Sequence, residues 1–510
     1  MTPAAPARTR GEPRRIELPE IVSEEARERA VERCRERGVL IPTFAQMRDP
    51  DSIDPAVRSL LPGVGMQAVD PLNLFRITWR NDPASGGFGD VNVVELPSEL
   101  TGVPARILGL VGKHFPTGAH KVGAAFGCLV PRLVAGGFDP TRNKAVWPST
   151  GNYCRGGAFD SALLGCQAVA ILPEEMSRER FEWLEEIGVE VIATPGCESN
   201  VKEIFDACWE IRSTRPDAVV FNQFDEFGNY LWHHGVTGPA AEAAFQKAAR
   251  AGDRLAGWVS ATGSAGTLAA GDYLKKRFPG CRVGAAEALQ CPTLLMAGFG
   301  GHRIEGIGDK HVPWIHNVRN TDLVLAVDDE AAMRVLRLFN EPAGHEALVR
   351  RGVPEATVGS LPLMGISSIC NLLAAIKWAH HFELEGNDVI MTCLTDSVEL
   401  YRTRLGELET EHGPYTATRA EVDYERYLLG ATTDHMKELR HHDRKAIHNL
   451  KYFTWVEQQG KTAEELDALW SPAFWEDMVA RLPEWDSAID RFNQDTDVIS
   501  DLRRRAGGEG

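Results

Sequence analysis

The stretch that decides the fold is Phe115-Pro116-Thr117-Gly118-Ala119-His120-Lys121, which leads into the apolar run 122–130. Residues 104–111 (PARILGLV) favour a strand, Pro-Thr-Gly favours a tight turn, and the apolar run favours a helix that opens at Lys121. An amine held at such a turn, near the positive end of a helix and shielded from water, has its charged form disfavoured. Lys121 is therefore predicted to be a nucleophile that forms a Schiff base with an aldehyde. The alternative is an ordinary solvated lysine.

The composition excludes several functional classes. A chain of 510 residues exceeds the size of one core, so we expect one two-lobed unit with appendages, or two to three domains. A net charge of −17 argues against nucleic acid or an anionic membrane as a partner. The ten cysteines are scattered and show no metal-ligand spacing, so we expect no metal and free thiols in a reducing compartment.

Targeting signals are not visible in the sequence. No apolar run approaches about 18 residues, the length that a membrane span needs. Residues 1–15 lack the apolar core of a secretory signal. We therefore expect a cytoplasmic protein without a membrane partner.

Apolar, β-rich runs alternate with helical patterns from residue 91 to about 400. The runs include NKAVWPS, QAVAILP, LAGWVSA and DVIMTCL. Continuously apolar strands that alternate with helices indicate parallel sheets covered on both faces, which is a doubly wound α/β fold. Ligands in such folds bind at the carboxyl ends of the strands, so the turns that follow strands are the candidate sites.

Two extensions flank this α/β core, which we assign to residues 91–404. Residues 1–90 are predicted to hold a loose first 18 residues, a charged helix over 23–38 capped by Ser23, and irregular chain. Residues 405–510 are predicted to be helical, without a strand, and to end in a disordered RRRAGGEG. The histidines in LRHHDRKAIHNL match no metal-ligand spacing and favour a solvated helix face.

Two turns carry groups that suit anions. Ser149-Thr150-Gly151-Asn152-Tyr153 lies between a strand and a helix that begins near Gly156, and it offers hydroxyls, an amide and backbone N–H groups for a carboxylate. Gly263-Ser264-Ala265-Gly266-Thr267 follows LAGWVSA and opens a helix, so its backbone N–H groups suit a phosphate. The alternatives are an ordinary turn and a generic glycine-rich loop. No G-K-[ST] follows, so the second turn is not a P-loop.

Together these features resemble fold-type II pyridoxal phosphate (PLP) enzymes. The sequence motifs resemble those of the cysteine synthase and cystathionine β-synthase family, within the tryptophan synthase β superfamily. The resemblance covers roughly residues 91–404. The segment ILPEEMSRERFEWLEEIGVEVIATPG is similar to the family's M-P-E-x-M-S-x-E-R-R stretch. Further similar segments follow in the family's order: Phe221-Asn222-Gln223-Phe224, Thr237-Gly238-Pro239, residues 302–308, residues 365–368, and Thr395-Asp396-Ser397-Val398 with Tyr401.

The resemblance implies that the cofactor is pyridoxal 5'-phosphate and that Lys121 bears the Schiff base and moves protons. It implies that Asn152 bonds the ring hydroxyl and that Ser397 meets the pyridine nitrogen; the alternative for Ser397 is a helix N-cap. The phosphate would be held by Gly263, Ser264, Ala265, Gly266 and Thr267.

The resemblance also implies the substrate contacts. Ser149, Thr150 and Gln223 would receive the substrate carboxylate, with Gly151 and Tyr153 beside it. The chain departs from cysteine synthases directly after Asn152, where Tyr153, Cys154 and Arg155 replace smaller or apolar residues. These side chains narrow or charge the pocket, unless Arg155 faces solvent, and they put O-acetylserine in doubt as the substrate.

The chemistry implied is β-replacement on a small L-amino acid, such as serine, O-activated serine or a cysteine-like compound, through an aminoacrylate. A serine hydroxyl leaves the pyridine nitrogen unprotonated, so the cofactor is a weaker electron sink than one paired with an aspartate. The alternative is β-elimination to a 2-oxo acid and ammonia. A further alternative is a cofactor-binding regulator without catalysis. We expect a homo-oligomer, most simply a dimer.

Overall fold

This computed structural model describes residues 20–149, 151–196, 201–308 and 310–507. The expectations for residues 1–18 and for Thr150 lie outside the described residues. Within them the chain forms eleven strands: β1 Val93–Leu96, β2 Arg106–Val111, β3 Lys144–Pro148, β4 Gln167–Pro173, β5 Glu190–Thr194, β6 Ala218–Val220, β7 Arg254–Ala261, β8 Arg282–Ala288, β9 Leu323–Val327, β10 Asp388–Leu394 and β11 Met436–Glu438.

The strands form two sheets, one in each lobe. The larger sheet has the order β1-β2-β10-β7-β8-β9-β11, and the smaller one β5-β4-β3-β6. All neighbours pair in parallel except the outer strands β1 and β11, which are antiparallel to β2 and β9. The predicted doubly wound α/β architecture is thus confirmed. Strands β2, β9 and β10 are buried along their whole length, which explains their continuously apolar sequences.

Helices cover both sheets and make up most of the two extensions. Those of eight or more residues in the described part are α1 Glu24–Arg37, α2 Lys121–Val134, α3 Asn152–Leu163, α4 Arg178–Glu186, α5 Val201–Thr214, α6 Gly238–Ala248, α7 Leu268–Arg277, α8 Asp329–Asn340, α9 Pro342–Arg350, α10 Ile366–His381, α11 Arg402–His412, α12 Ala417–Tyr424, α13 His441–Lys451, α14 Pro472–Ala480, α15 Leu482–Thr496 and α16 Val498–Ala506.

Shorter helices span Phe44–Arg48, Pro55–Leu60, Ser98–Thr101, Phe227–Trp232, Thr293–Met296, Glu355–Ser360 and Ala463–Ala468. None of the helices that the structure describes is both long enough and apolar enough to cross a bilayer. The N-terminal helix has the predicted caps, since the Ser23 hydroxyl accepts the Ala26 N–H and Gly38 adopts a φ of 65°.

The C-terminal region differs from the prediction in three places. Strand β11 extends the larger sheet by pairing with β9, where a helix without a strand was predicted. Helix α13 therefore begins after this strand, at His441. His448 is buried with Nε2 3.1 Å from the Leu466 carbonyl oxygen, so a solvated helix face is wrong for this residue. Arg503 lies in α16 instead of a disordered tail, because Leu502 packs into an apolar cluster with the N-terminal extension.

The two extensions pack against each other and against α2. The Ile41 N–H donates to Asn493 Oδ1 at 3.0 Å, and the Phe44 N–H donates to Asp486 Oδ1 at 2.7 Å. Phe492 of α15 shares an apolar core with Leu129 of α2. Chain segments more than 440 residues apart therefore form one layer on the helix that carries Lys121.

The helix that opens at Lys121 lies in backbone contact with the helix Phe227–Trp232. A Cβ atom at Gly127 would overlap the Gly228 carbonyl oxygen, and one at Gly123 would overlap the Trp232 indole. The two glycines thus allow the close approach that fixes the position of α2.

We predict that Gly127→Ala lowers the free energy of unfolding by about 1–3 kcal/mol, since the added methyl meets backbone that cannot move aside. The matched control is Gly406→Ala, in the middle of α11, where a Cβ meets nothing within 4 Å. Alanine has the higher helix propensity, so this control should be neutral or stabilising. Chemical denaturation of both variants checks the pair, and equal effects would contradict the argument.

Candidate active site

A cleft of about 300 Å³, open to solvent, lies where β2, β3, β6 and β7 end at their carboxyl sides. The structure brings seven of the predicted site residues together on its walls: Lys121, Ser149, Asn152, Tyr153, Gln223, Gly263 and Ser264. It adds four residues to which the sequence assigned no role: Phe224, Gly306, Ile307 and Gly308.

The Lys121 amine joins the two predicted anion sites. Its Nζ donates to Ser264 Oγ at 3.0 Å and to Gln223 Oε1 at 3.2 Å. Gln223 Nε2 in turn donates to Ser149 Oγ at 3.4 Å. The lysine, the glycine-rich loop and the Ser149 turn are thus linked by direct hydrogen bonds.

Neutral aromatic side chains pack beside Lys121. The His120 ring stacks on Trp79 with centroids 5.6 Å apart and meets the His233 ring at 5.1 Å. Burial lowers the pKa of His120 to about 3, and burial also lowers the pKa of His233. Both rings are therefore uncharged at neutral pH, and the lysine gains no cationic neighbour from them.

The glycine-rich loop has the backbone of an anion site. Ala265 adopts a φ of 62°, a conformation that turns successive N–H groups toward one point. Gly266 leaves room for Asn229, because a Cβ atom at Gly266 would overlap the Asn229 amide oxygen. Asn229 Nδ2 donates to Ser264 Oγ at 2.9 Å. Helix α7 begins directly after Thr267, so its N-terminal N–H groups face the same loop.

Helix α3 begins at Asn152, four residues before the predicted start, so Asn152 lies in its first turn. Gly151 has a φ of 152°, and a Cβ there would overlap the Arg180 guanidinium. Asn152 Nδ2 donates to Asp396 Oδ2 at 2.6 Å. Asn152 Oδ1 is buried and has no hydrogen-bond partner among the described residues.

The structure bears on two alternatives that the sequence left open. Ser397 is buried and occupies the N-cap position of the 3₁₀ turn Val398–Leu400, but its side chain makes no capping hydrogen bond. Arg155 is buried with its guanidinium 4.5 Å from the Trp183 ring, so it does not face solvent. Burial lowers the pKa of Arg155 to about 10. Neither side chain is among those that line the cleft.

A buried network of charges ties the two lobes together at the cleft. Arg180 of α4 lies 3.3 Å from Glu305 through Nε, and its Nη2 donates to Tyr401 OH at 2.9 Å. Arg404 Nε donates to the other oxygen of Glu305 at 2.6 Å. Arg180, Glu305 and Tyr401 belong to the segments that resemble the family, yet spacing alone gave no sign of their contacts.

A second cavity of about 220 Å³ adjoins the cleft and shares Gly263 and Gly308 with it. Glu287, at the end of β8, lines this cavity and accepts the N–H groups of Leu294 and Leu295 at 2.8 Å each. Burial nevertheless raises the pKa of Glu287 to about 7.

The pyridoxal-phosphate dependent enzyme family matches residues 86–348, just over half of the chain. The chain belongs to this family. Its residues fit the cofactor, because the cleft presents a lysine amine, a loop of backbone donors for a phosphate, and the side-chain amide of Asn152. The predictions of the family, the cofactor and an enzyme are thus confirmed.

Known relatives agree with the assignment. A probable cysteine synthase from Bacillus subtilis is 27% identical over 288 residues, which is 56% of this chain and 85% of the relative. A cysteine synthase from Staphylococcus aureus is 29% identical over 316 residues, covering 61% and 93% of the two chains. The crystal structure of O-acetylserine sulfhydrylase isoform 3 from Entamoeba histolytica aligns with a TM-score of 0.54 at 22% identity, covering 66% of this chain and 93% of that one. The structural match confirms the fold-type II architecture.

We predict that Glu287 makes the protein less stable as the pH rises from about 4.5 to about 7. In this window the folded state keeps a proton that the unfolded state, with an ordinary pKa near 4.5, has already released. Relative to Glu287→Gln, which does not titrate, the wild type should lose on the order of 3 kcal/mol of stability between pH 4.5 and pH 8. Denaturant unfolding of both proteins across this range measures the difference, and parallel curves would rule out the shifted pKa.

Proposed function

We propose that this protein catalyses β-replacement on a small L-amino acid: serine, an O-activated serine or a cysteine-like compound. The observation that carries the proposal is the position of the Lys121 amine, within hydrogen-bond distance of both Ser264 and Gln223. One contact belongs to the candidate phosphate loop and the other to the candidate carboxylate site. The cysteine synthases among the relatives support the reaction class.

In this proposal the cofactor is held by residues from four strand ends. Lys121 Nζ binds the cofactor's aldehyde, Asn152 bonds the ring hydroxyl, and Ser397 meets the pyridine nitrogen. The phosphate is held by Gly263, Ser264, Ala265, Gly266 and Thr267. The position of this loop at the N-terminus of α7 and the positive φ of Ala265 support the phosphate assignment.

The substrate carboxylate is assigned to Ser149, Thr150 and Gln223, with Gly151 and Tyr153 beside it. The 3.4 Å contact between Gln223 Nε2 and Ser149 Oγ supports this assignment, because both side chains can turn toward one ligand. Tyr153 and Phe224 line the same cleft, and we infer that residues of this size favour a small side chain on the substrate.

The chemistry follows from the groups in these positions. When bound, pyridoxal phosphate supplies an aldehyde for the lysine and a ring that withdraws electrons from the substrate α-carbon. Once the substrate amine has taken its place on the aldehyde, Lys121 Nζ would be free to take the α-proton and to return it to the α-carbon when the product forms. Because the Ser397 hydroxyl does not keep the pyridine nitrogen protonated, negative charge at the α-carbon is poorly stabilised, and immediate loss of a β-substituent is favoured. A nucleophile then adds at the β-carbon.

The proposal also includes a homodimer in the cytoplasm. The nine cysteines in the described residues form no disulfide, which suits a reducing compartment. Two-fold symmetric homodimers are the commonest soluble oligomers. Size-exclusion chromatography with light scattering tests the dimer, and a monomer peak would contradict it.

We predict that the purified protein shows the visible absorbance band of lysine-bound pyridoxal phosphate and that Lys121→Ala abolishes both the band and the activity. A panel of serine, cysteine, O-acetylserine, O-phosphoserine, threonine and diaminopropionate identifies the substrate by the spectral change it causes. Lys247→Ala is the control, because Lys247 forms an exposed ion pair with Asp90 far from the cleft. It should leave the spectrum and the activity unchanged.

The same assay separates the alternatives. Accumulation of a new amino acid when sulfide or another nucleophile is supplied supports β-replacement. Pyruvate and ammonia formed without any nucleophile, at a rate that nucleophiles do not change, would establish β-elimination in its place. Activity that survives Lys121→Ala would overturn the mechanism, and a protein that binds the cofactor but converts none of the panel would favour the regulator.

A further inference from the structure

A buried hydrogen bond joins the two lobes at the wall of the cleft. Asn152 opens α3 in the smaller lobe, and Asp396 follows β10 in the larger lobe. Asn152 Nδ2 donates to Asp396 Oδ2 at 2.6 Å, and both side chains are almost completely buried, with exposed fractions of 4% and 0%. Asn152 lines the cleft together with Lys121.

The Asp396 carboxylate is itself fixed by contacts from several elements. Tyr401 OH donates to the same oxygen, Oδ2, at 2.7 Å, and Arg180 Nη2 donates to Tyr401 OH at 2.9 Å. Gly365 leaves room for the carboxylate, because a Cβ there would overlap Asp396 Oδ1. The Oδ2 oxygen of Asp396 is therefore held by two donors, and Arg180 of the opposite lobe supports one of them, Tyr401 OH.

A fixed carboxylate determines which way the Asn152 amide points. A carboxylate only accepts hydrogen bonds, so it selects the NH₂ side of the amide and repels the carbonyl oxygen. With one N–H used by Asp396, a second N–H of Asn152 is left to donate to a ligand. Without Asp396, the amide could rotate by half a turn and present its oxygen in that place.

We propose that Asp396 is a positioning residue, whose carboxylate orients the Asn152 amide so that it donates to the ring hydroxyl of bound pyridoxal phosphate. The inference rests on the proposed function, because it assigns the cofactor's hydroxyl to Asn152. It adds a residue to which neither motif spacing nor the family resemblance gave a role. It also makes the orientation of Asn152 depend on contact between the lobes.

The test measures cofactor affinity rather than turnover. Pyridoxal phosphate is titrated into the cofactor-free full chain while fluorescence and absorbance are recorded, for the wild type and for Asp396→Ala, Asp396→Asn, Tyr401→Phe and Asn152→Ala. We expect Asp396→Ala to raise the dissociation constant at least about tenfold, as loss of a hydrogen bond to a charged group does, and to shift the visible band. Asp396→Asn keeps an acceptor and the shape, so it should retain more affinity than Asp396→Ala.

A double-mutant cycle separates positioning from general damage. If Asp396 acts through Asn152, the Asn152→Ala and Asp396→Ala double variant should bind the cofactor as weakly as Asn152→Ala alone. Additive losses of affinity, or wild-type affinity in Asp396→Ala, would overturn the inference. If Asp396→Ala fails to fold, the cycle is run with Tyr401→Phe and Asn152→Ala, and additive losses there overturn it equally.

The chain offers a matched control pair outside the cleft. Tyr415 OH donates to the buried Asp423 at 2.9 Å, which reproduces the Tyr401 and Asp396 contact in another place. Asp423→Ala and Tyr415→Phe should lower thermal stability but leave the dissociation constant unchanged. A loss of affinity in these controls equal to that of Asp396→Ala would count against a specific role. A wild type that binds no cofactor would refute the proposed function itself.

Discussion

The pairing of Arg180 across the two lobes is the interaction on which the cleft depends. Its guanidinium is fully buried, with Glu305 and Tyr401 of the larger lobe as partners and Gly151 of the smaller lobe directly against it. Taking an ion out of water costs several kcal/mol unless partners compensate. A wider separation of the lobes would pull Arg180 away from Glu305 and Tyr401, while Glu305 would keep Arg404. Charge pairing therefore holds the Ser149 turn against the larger lobe together with the apolar core that Trp147 and Trp258 share.

Lys121 is positioned by a different kind of constraint. Its helix is pressed against a neighbouring helix at Gly127, and the larger sheet ends beside it, where the His120 N–H donates to the Thr395 carbonyl at 3.3 Å. Both contacts involve backbone, which moves less easily than side chains. The backbone at Lys121 is thus held by helix and strand neighbours, while its hydrogen-bond partners Gln223 and Ser264 come from loops.

The sequence predicted the elements whose signal is local. Strands such as β2 and β10 are buried on both faces, so each reads as an unbroken apolar run. The three-residue β11 carries no such signal, because it is an exposed edge strand that only its pairing with β9 defines. The candidate site divides in the same way. Lys121, the Gly263 loop, Asn152 and Asp396 all follow strands, which the sequence shows. Asn152 and Asp396 are 244 residues apart, however, and only the folded chain shows that they touch.

The contact between the N-terminal and C-terminal extensions affects how the protein folds during its synthesis. Ile41 meets Asn493 across 452 residues, so the N-terminal segment leaves the ribosome long before its partner exists. Until then, the apolar side chains of Val39, Ile41 and Phe44 are exposed and can bind other apolar surfaces, although they are buried in the finished protein. Completion of the larger sheet also waits for late residues, because β2 pairs with β10. Aggregation or chaperone binding therefore competes with folding for as long as the layer over α2 is incomplete.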